Sequence, residues 1–318
     1  MTSAAQPGGT FFERKSMRTF PKHILSIADQ VQSFLDAGMM IESTADAETV
    51  LARVGYYRLR GYCFQWYDNR KKKYREGTSF SNLSRLYLFD HQLSQLLFAY
   101  SSQIEIALRA RFTDAMLVYN DALILMDPSV CDDKTNYWKN LSVLSNEIAR
   151  SNDVFIDHHF HHHEGQIPLW AAIEVTTFGN LSKLIKNMST DPNGAYPLLA
   201  KYYMYKTQNG NNARPSKKML TSWIQAVSIV RNICAHNGRL YNRTISTIPE
   251  LLHSDRIMPQ PHHNGLYQIL LAMKYLRPDD DSWTVFVSNL EKLIDQYSDV
   301  VLTTCLNFPS DWRTHLAL

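Results

Sequence analysis

Long apolar runs are missing from this sequence: no stretch of about 18 apolar residues occurs, which excludes an ordinary membrane-spanning helix. Cysteine is scarce. Cys63, Cys131, Cys234 and Cys305 stand far apart and form no CxxC pair, so neither a secreted disulfide framework nor a zinc ribbon is expected. Only 12 glycines and 12 prolines are present among 318 residues, too few for a fibrous or low-complexity chain. Charge of one sign is lacking too. The net charge of +3 does not argue for nucleic-acid binding, so local clusters must carry any such case. The opening segment, MTSAAQPGGTFFERKSMRTF, has no signal-type apolar run, and a reducing cytoplasm is the expected compartment.

What is present is helical periodicity. Residues 1–22 read as a flexible tail with breakers at Pro7, Gly8 and Gly9. Residues 24–38 have apolar spacing near 3.6 and stop at Gly38. Residues 46–60 begin helically and run into an aromatic and basic turn segment, with a small hairpin expected near 62–80. Residues 81–118 are the longest regular stretch, with Leu93, Leu97, Tyr100, Ile104 and Leu108 at three- and four-residue steps, and one break is allowed for. Further helices are expected over 136–150, 168–188, 216–236, 265–277 and 283–303. The fold class is therefore all-α. The expected organisation is a tail (1–22), an aromatic-basic segment (23–80), a helical core (81–245) and C-terminal helices packing on it (246–318). Trp170, Trp223 and Trp312 are expected in the core.

One segment carries a chemical signature: Arg231-Asn232-Ile233-Cys234-Ala235-His236, followed by Asn237-Gly238. At 100° per residue, Leu220, Trp223, Val227, Val230 and Cys234 form an apolar seam, and Arg231 lies about 70° from it. Asn232 and His236 fall on the polar side, in line with Gln225 and Ser228. Two copies related by a two-fold axis would bring two Arg and two His into one cleft. Cleaving RNA at a 2′-hydroxyl needs one proton removed and another delivered, which a histidine pair does near neutral pH. The transition state gathers negative charge, which the planar fork of arginine suits. The negative end of the helix dipole favours a charged imidazole at His236. Arg231, Asn232 and His236 are thus the candidate catalytic set, with no metal or cofactor required. Arg-x4-His also arises by chance, and an arginine beside a seam usually snorkels. Arg85 and His91 fit a looser spacing within an ordinary amphipathic helix and are read as structural.

Several blocks in order resemble the Abi-like (AbiD/AbiF-type) family of bacterial abortive-infection proteins, from about Val54 to Trp312. They are Gly55 to Tyr62, Leu86-Tyr87-Leu88-Phe89-Asp90, Ile104 to Arg109, Pro168 to Glu174, Phe178 to Leu181, Arg231 to Arg243, and Asn307 to Trp312. That family looks like the HEPN superfamily, whose nucleases use Arg-x4-6-His. The resemblance implies a helical bundle, a composite site in a homodimer, and anti-phage toxicity through RNA damage. Arg231 and His236 match the motif positions and Asn232 the usual polar one. Asn237 departs from it, since many relatives carry His or another residue there.

Glu105 and Arg109, spaced i,i+4, read either as a surface ion pair or as a brace that orients Arg231. The run Arg70 to Arg75 lies beside Tyr62, Trp66, Tyr67 and Tyr74. It reads as a solvated loop or as an RNA grip through Lys71, Lys72 and Lys73. Arg58, Arg239 and Arg243 are further candidate RNA contacts. The RNA partner is a substrate or a small inhibitory antitoxin RNA, and no membrane partner is expected. Asp157-His158-His159-Phe160-His161-His162-His163-Glu164 reads as a linker that takes up metal adventitiously, because it lacks the fixed spacing of a zinc site. Two rivals to the nuclease stay open: a non-catalytic RNA-binding or phage-sensing module, and a metal hydrolase built on these histidines.

Overall fold

A computed structural model describes residues 24–256 and 265–318. The expected tail, 1–22, lies outside the described residues. The architecture is all-α: among the described residues there are thirteen α-helices and two short two-stranded ladders. The chain divides into two compact units, one through Ser81 and the other from Asn82.

The first unit contains α1 (Ile27–Asp36), α2 (Thr44–Val54) and α3 (Tyr56–Arg60), then a hairpin of β1 (Tyr67–Asp68) and β2 (Lys73–Tyr74). A capping box of Ser26 and Asp29 starts α1, and the Ser43 hydroxyl accepts the Asp46 N–H at the start of α2. Gly38, at φ +88°, lets the Met39 N–H reach back to the Phe34 carbonyl and stops α1. Phe34, Leu51, Leu59, Tyr62 and Tyr74 are buried together in this unit's core. At the hairpin tip the Asp68 carboxylate accepts the N–H groups of Arg70 (2.9 Å) and Lys71 (3.1 Å), leaving residues 70–73 exposed.

The second unit is organised by α4 (Phe80–Met116), whose first two residues precede the boundary. Leu83, Leu86, Asp90, Leu93, Leu97, Tyr100, Ile104, Leu108 and Phe112 are buried at three- and four-residue steps along it. The helix is unbroken over 37 residues, so the break allowed for in sequence is not there. At 1.5 Å per residue it is about 55 Å long. After it come α5 (Lys134–Arg150), α6 (Val154–His162), α7 (Leu169–Val175), α8 (Phe178–Asn187) and α9 (Ala195–Lys201). A second hairpin, β3 (Tyr205–Lys206) with β4 (Asn212–Ala213), leads into α10 (Lys217–Ala235). The chain ends with α11 (Leu266–Leu276), α12 (Asp280–Gln296) and α13 (Trp312–Leu316). Helix α10 packs on α8, α9 and α11, and α5 packs on α7 and α8. Trp223 on α10 is fully buried; its indole N–H donates to the Glu250 carbonyl, and its ring stacks on Tyr275 at 5.0 Å.

Several expectations need correction. The stretch 168–188 is two helices, because Thr177 leaves the helical path to cap α8 by accepting the Asn180 N–H. The buried Glu147 fixes that corner, accepting from the Thr177 hydroxyl (2.6 Å) and the Asn180 amide (3.1 Å). Trp170 is 53% exposed, whereas Trp223 and Trp312 are buried. It sits on the outer face of α7, while Ala171, Ala172 and Ile173 face inward. The last long helix starts earlier than expected, where Asp279 caps Ser282, and ends at Gln296 rather than 303. The histidine-rich stretch is a helix, α6, rather than a linker. Helix α9 and the second hairpin were not anticipated.

Candidate functional site

Helix α10 begins where Ser216 accepts the Met219 N–H. Its buried face is wider than the seam read from sequence. Ile224, Ala226 and Ser228 are buried with Leu220, Trp223, Val227, Val230 and Cys234, so Ser228 belongs to the core while Gln225 stays exposed. The helix ends in two back-bonds, Asn237 N–H to Cys234 O (3.0 Å) and Gly238 N–H to Ile233 O (2.8 Å). Asn237 takes the left-handed conformation, φ +51°. Gly238 is needed for closeness, since a Cβ there would sit 2.9 Å from the Ile233 Cγ2. His236 is therefore the C-terminal cap, one residue past the helix, and its side chain is exposed. Its backbone N–H donates to the Asn232 carbonyl at 3.1 Å, which ties two of the three candidate residues together.

The third, Arg231, is held by Glu105 and Arg109, the second of the two readings their spacing left open. Glu105 on α4 is 6% exposed and shares its carboxylate between two guanidinium groups. Arg109 Nη2 reaches Oε1 at 2.6 Å and Arg231 Nη2 reaches Oε2 at 3.3 Å. Arg109 Nη1 also donates to the carbonyls of Ile173 and Glu174 (3.2 Å to the latter), in the last turn of α7 where carbonyls lack helical partners. The Arg231 guanidinium lies over the Phe98 ring at 5.7 Å, and its Nη1 donates to Asn232 Oδ1 at 3.3 Å. Its Nε is shielded from solvent without a hydrogen-bond partner among the described residues. One buried carboxylate against two arginines leaves the trio with a net charge of +1. The side chain of Arg231 is 30% exposed, whereas that of Arg109 is 12%. The positive charge is therefore offered to solvent at Arg231. Such a fixed, partly exposed guanidinium is suited to a phosphate oxygen.

Asp90 was quoted in sequence only as part of a matching block. In the fold it is 2% exposed, and its carboxylate accepts the N–H of Tyr241 at 2.7 Å and that of Leu240 at 3.2 Å. This pins the chain just after His236 to the N-terminal third of α4. Tyr241 extends the anchor: its hydroxyl accepts the Leu302 N–H at 2.9 Å, and its ring packs edge-on against Phe89. No local pattern could have revealed this, because a lone aspartate in an apolar helix reads equally well as surface. Between Arg231 and His236, burial pushes the Cys234 thiol up to about 11, so it remains protonated and unreactive at neutral pH.

The candidate RNA contacts separate into two sets. Arg239 and Arg243 follow the motif in the second unit, with Arg243 Nη1 on the Arg239 carbonyl at 3.3 Å. Arg58 and Lys71 to Lys73 are exposed in the first unit. Of the aromatics expected beside the basic run, Tyr62 (2% exposed) and Tyr74 (8%) belong to the core and are closed to base stacking, leaving the half-buried Trp66 and Tyr67. Arg85 is occupied by Asp299 at 2.7 Å.

On α6 the imidazoles of His158, His159, His162 and His163 are neighbours, and His161 lies 3.2 Å from Asp157. Burial of the ring, then the nearby His163 and His158, draw the pKa of His159 down. Among the described residues no three His, Cys, Asp or Glu side chains converge as a ready-made metal cage. Among them, too, no helix is long and apolar enough to cross a membrane.

The model of the Abi-like protein family matches residues 49–242, more than half of the sequence, and the chain belongs to that family. Membership suggests a part in abortive infection. The match takes in Asp90, Glu105, Arg109, Arg231 and His236, and stops short of the Asn307 to Trp312 block. No curated protein and no solved structure matches the chain.

Proposed function

We propose that the protein is an HEPN-type endoribonuclease acting as an anti-phage abortive-infection effector or toxin. The observation that carries this reading is the bracing of Arg231 by the buried Glu105–Arg109 pair, beside Asn232 and an exposed His236 on the same helix end. The shared Glu105 carboxylate fixes the Arg231 guanidinium yet leaves one positive charge of the trio uncompensated, which a phosphoryl oxygen would neutralise.

In the proposed reaction His236 of one copy takes the proton of a ribose 2′-hydroxyl. The 2′-oxygen attacks the adjacent phosphorus, and the bond to the 5′-oxygen breaks. A second imidazole protonates that leaving oxygen. The products are a 2′,3′-cyclic phosphate and a free 5′-hydroxyl. Arg231 holds the phosphoryl oxygens as their charge grows, and Asn232 orients the guanidinium. Each chain supplies one His236, so base and acid require a homodimer with the two helix ends facing each other. The RNA runs on towards Arg239 and Arg243, and Arg58 with Lys71 to Lys73 offers a separate set of contacts in the first unit. A small antitoxin RNA would compete for these contacts, and an RNA target sets the work in the cytoplasm.

The test is incubation of wild-type, Arg231→Ala and His236→Ala protein with total RNA, with and without EDTA, followed by mapping of the 3′ ends. Cleavage by the wild type alone, leaving cyclic phosphates, supports the nuclease. RNA that all three proteins bind and none cuts points instead to a binding or sensing module on this scaffold. Cutting that EDTA abolishes would favour a metal hydrolase.

A further inference from the structure

Among the described residues, the densest group of imidazole side chains is on α6 and its C-terminal cap. A linker would leave their spacing undefined, but the helix defines it. Residues four apart lie on one face, which pairs His158 with His162, and His163, the cap that follows the helix, lies beside His158 and His159. The ring centres are 4.8 Å apart for His158 and His162, 5.2 Å for His158 and His163, and 5.0 Å for His159 and His163. On a tetrahedral ion with metal–nitrogen bonds of about 2.0–2.1 Å, two imidazole ring centres stand about 5 Å apart. The backbone thus already sets the separation that a shared ion requires, and only ring rotation remains.

One further observation points the same way. Helix α6 is poorly secured. It is nine residues long, and Ile156 is its one buried residue, set against Leu144, Ile148 and Ile167. Helices shorter than about 12–15 residues do not sustain themselves in water. A cross-link between successive turns would supply what packing does not.

We propose that α6 is a surface site for one divalent transition ion of the zinc, nickel and copper class, seated on His158 and His162 with His163 as a further donor. Imidazole nitrogens suit these ions over magnesium or calcium. Water fills the remaining positions, since no three donors converge before the ion arrives. The ion fastens α6 to itself as a local staple. The site is independent of the nuclease reading and stands or falls alone.

The test is a calorimetric titration of the full chain, freed of any purification tag, with zinc chloride at pH 7.5, alongside hydrogen exchange over 154–162. One equivalent of zinc should bind and slow exchange in α6. His158→Ala should weaken binding about tenfold or more, and His162→Ala likewise. His161→Ala, whose ring faces Asp157, should stay within about twofold of wild type. All of these side chains are exposed or half-buried, and unchanged circular dichroism would confirm that the variants fold. The absence of saturable binding, or equal affinity in wild type, His158→Ala and His162→Ala, would overturn the proposal.

Discussion

The end of α10 and the whole of α6 each gather several reactive side chains, and they are held in opposite ways. At the end of α10, two buried carboxylates from α4 do the holding: Glu105 grips Arg231, and Asp90 grips the backbone after His236. On α6 the imidazoles mainly touch one another, and a single isoleucine anchors the helix. The first arrangement is fixed by buried partners before any ligand arrives, which is what the proposed transition-state stabilisation would require. The second has little behind it, and the proposed ion would add to what holds it. Density of functional groups alone therefore does not tell a braced surface from a loosely held one; the buried partners behind it do.

The sharpest way to break this contrast is to remove the carboxylates. Glu105→Ala leaves Arg109 largely buried and uncompensated, and should cost about 3–4 kcal/mol by chemical denaturation. Asp90→Ala strips the acceptor from two backbone N–H groups and should cost about 3 kcal/mol, with trypsin cutting faster at Arg239 and Arg243. A loss below about 1 kcal/mol in either variant would mean that the brace is incidental. On α6, Ile156→Ala should cost about 2–4 kcal/mol and expose 154–162 to hydrogen exchange. A smaller effect concerns the hairpin tip in the first unit. Replacing Lys71, Lys72 and Lys73 with Ala should weaken RNA binding and flatten its salt dependence without altering stability, read by filter binding across a salt series. The least change is expected at Cys234, whose raised pKa predicts negligible alkylation by iodoacetamide at pH 7.5 until the protein is unfolded.

Much of this was legible in sequence wherever periodicity was strong. Helices α4 and α10 announce themselves because Leu, Ile and Trp recur at the helical period against a core. The Asn237-Gly238 stop is legible too, although the left-handed residue is the asparagine and the glycine serves close approach. The i,i+4 relation of Glu105 and Arg109 was visible, and the brace on Arg231 was one of two readings, but choosing it over a surface pair needed the tertiary contact, which no local spacing encodes. Asp90 was hidden because its partners are equally remote in sequence. Helix α6 escaped because only one of its residues is buried, so it has no apolar stripe to detect. Trp170 misled because tryptophan is usually buried, whereas α7 has enough alanine and isoleucine to fill its inner face.

The most direct measurement uses one short RNA in two forms, all-ribose and with a single 2′-deoxy sugar at the mapped cleavage position, in EDTA. If Arg231 and His236 form a transesterification centre, wild-type protein cuts the all-ribose strand and leaves the deoxy-substituted strand intact at that position, and His236→Ala cuts neither. Cleavage of the deoxy-substituted strand at that position, or cleavage by His236→Ala at the wild-type rate, would contradict it.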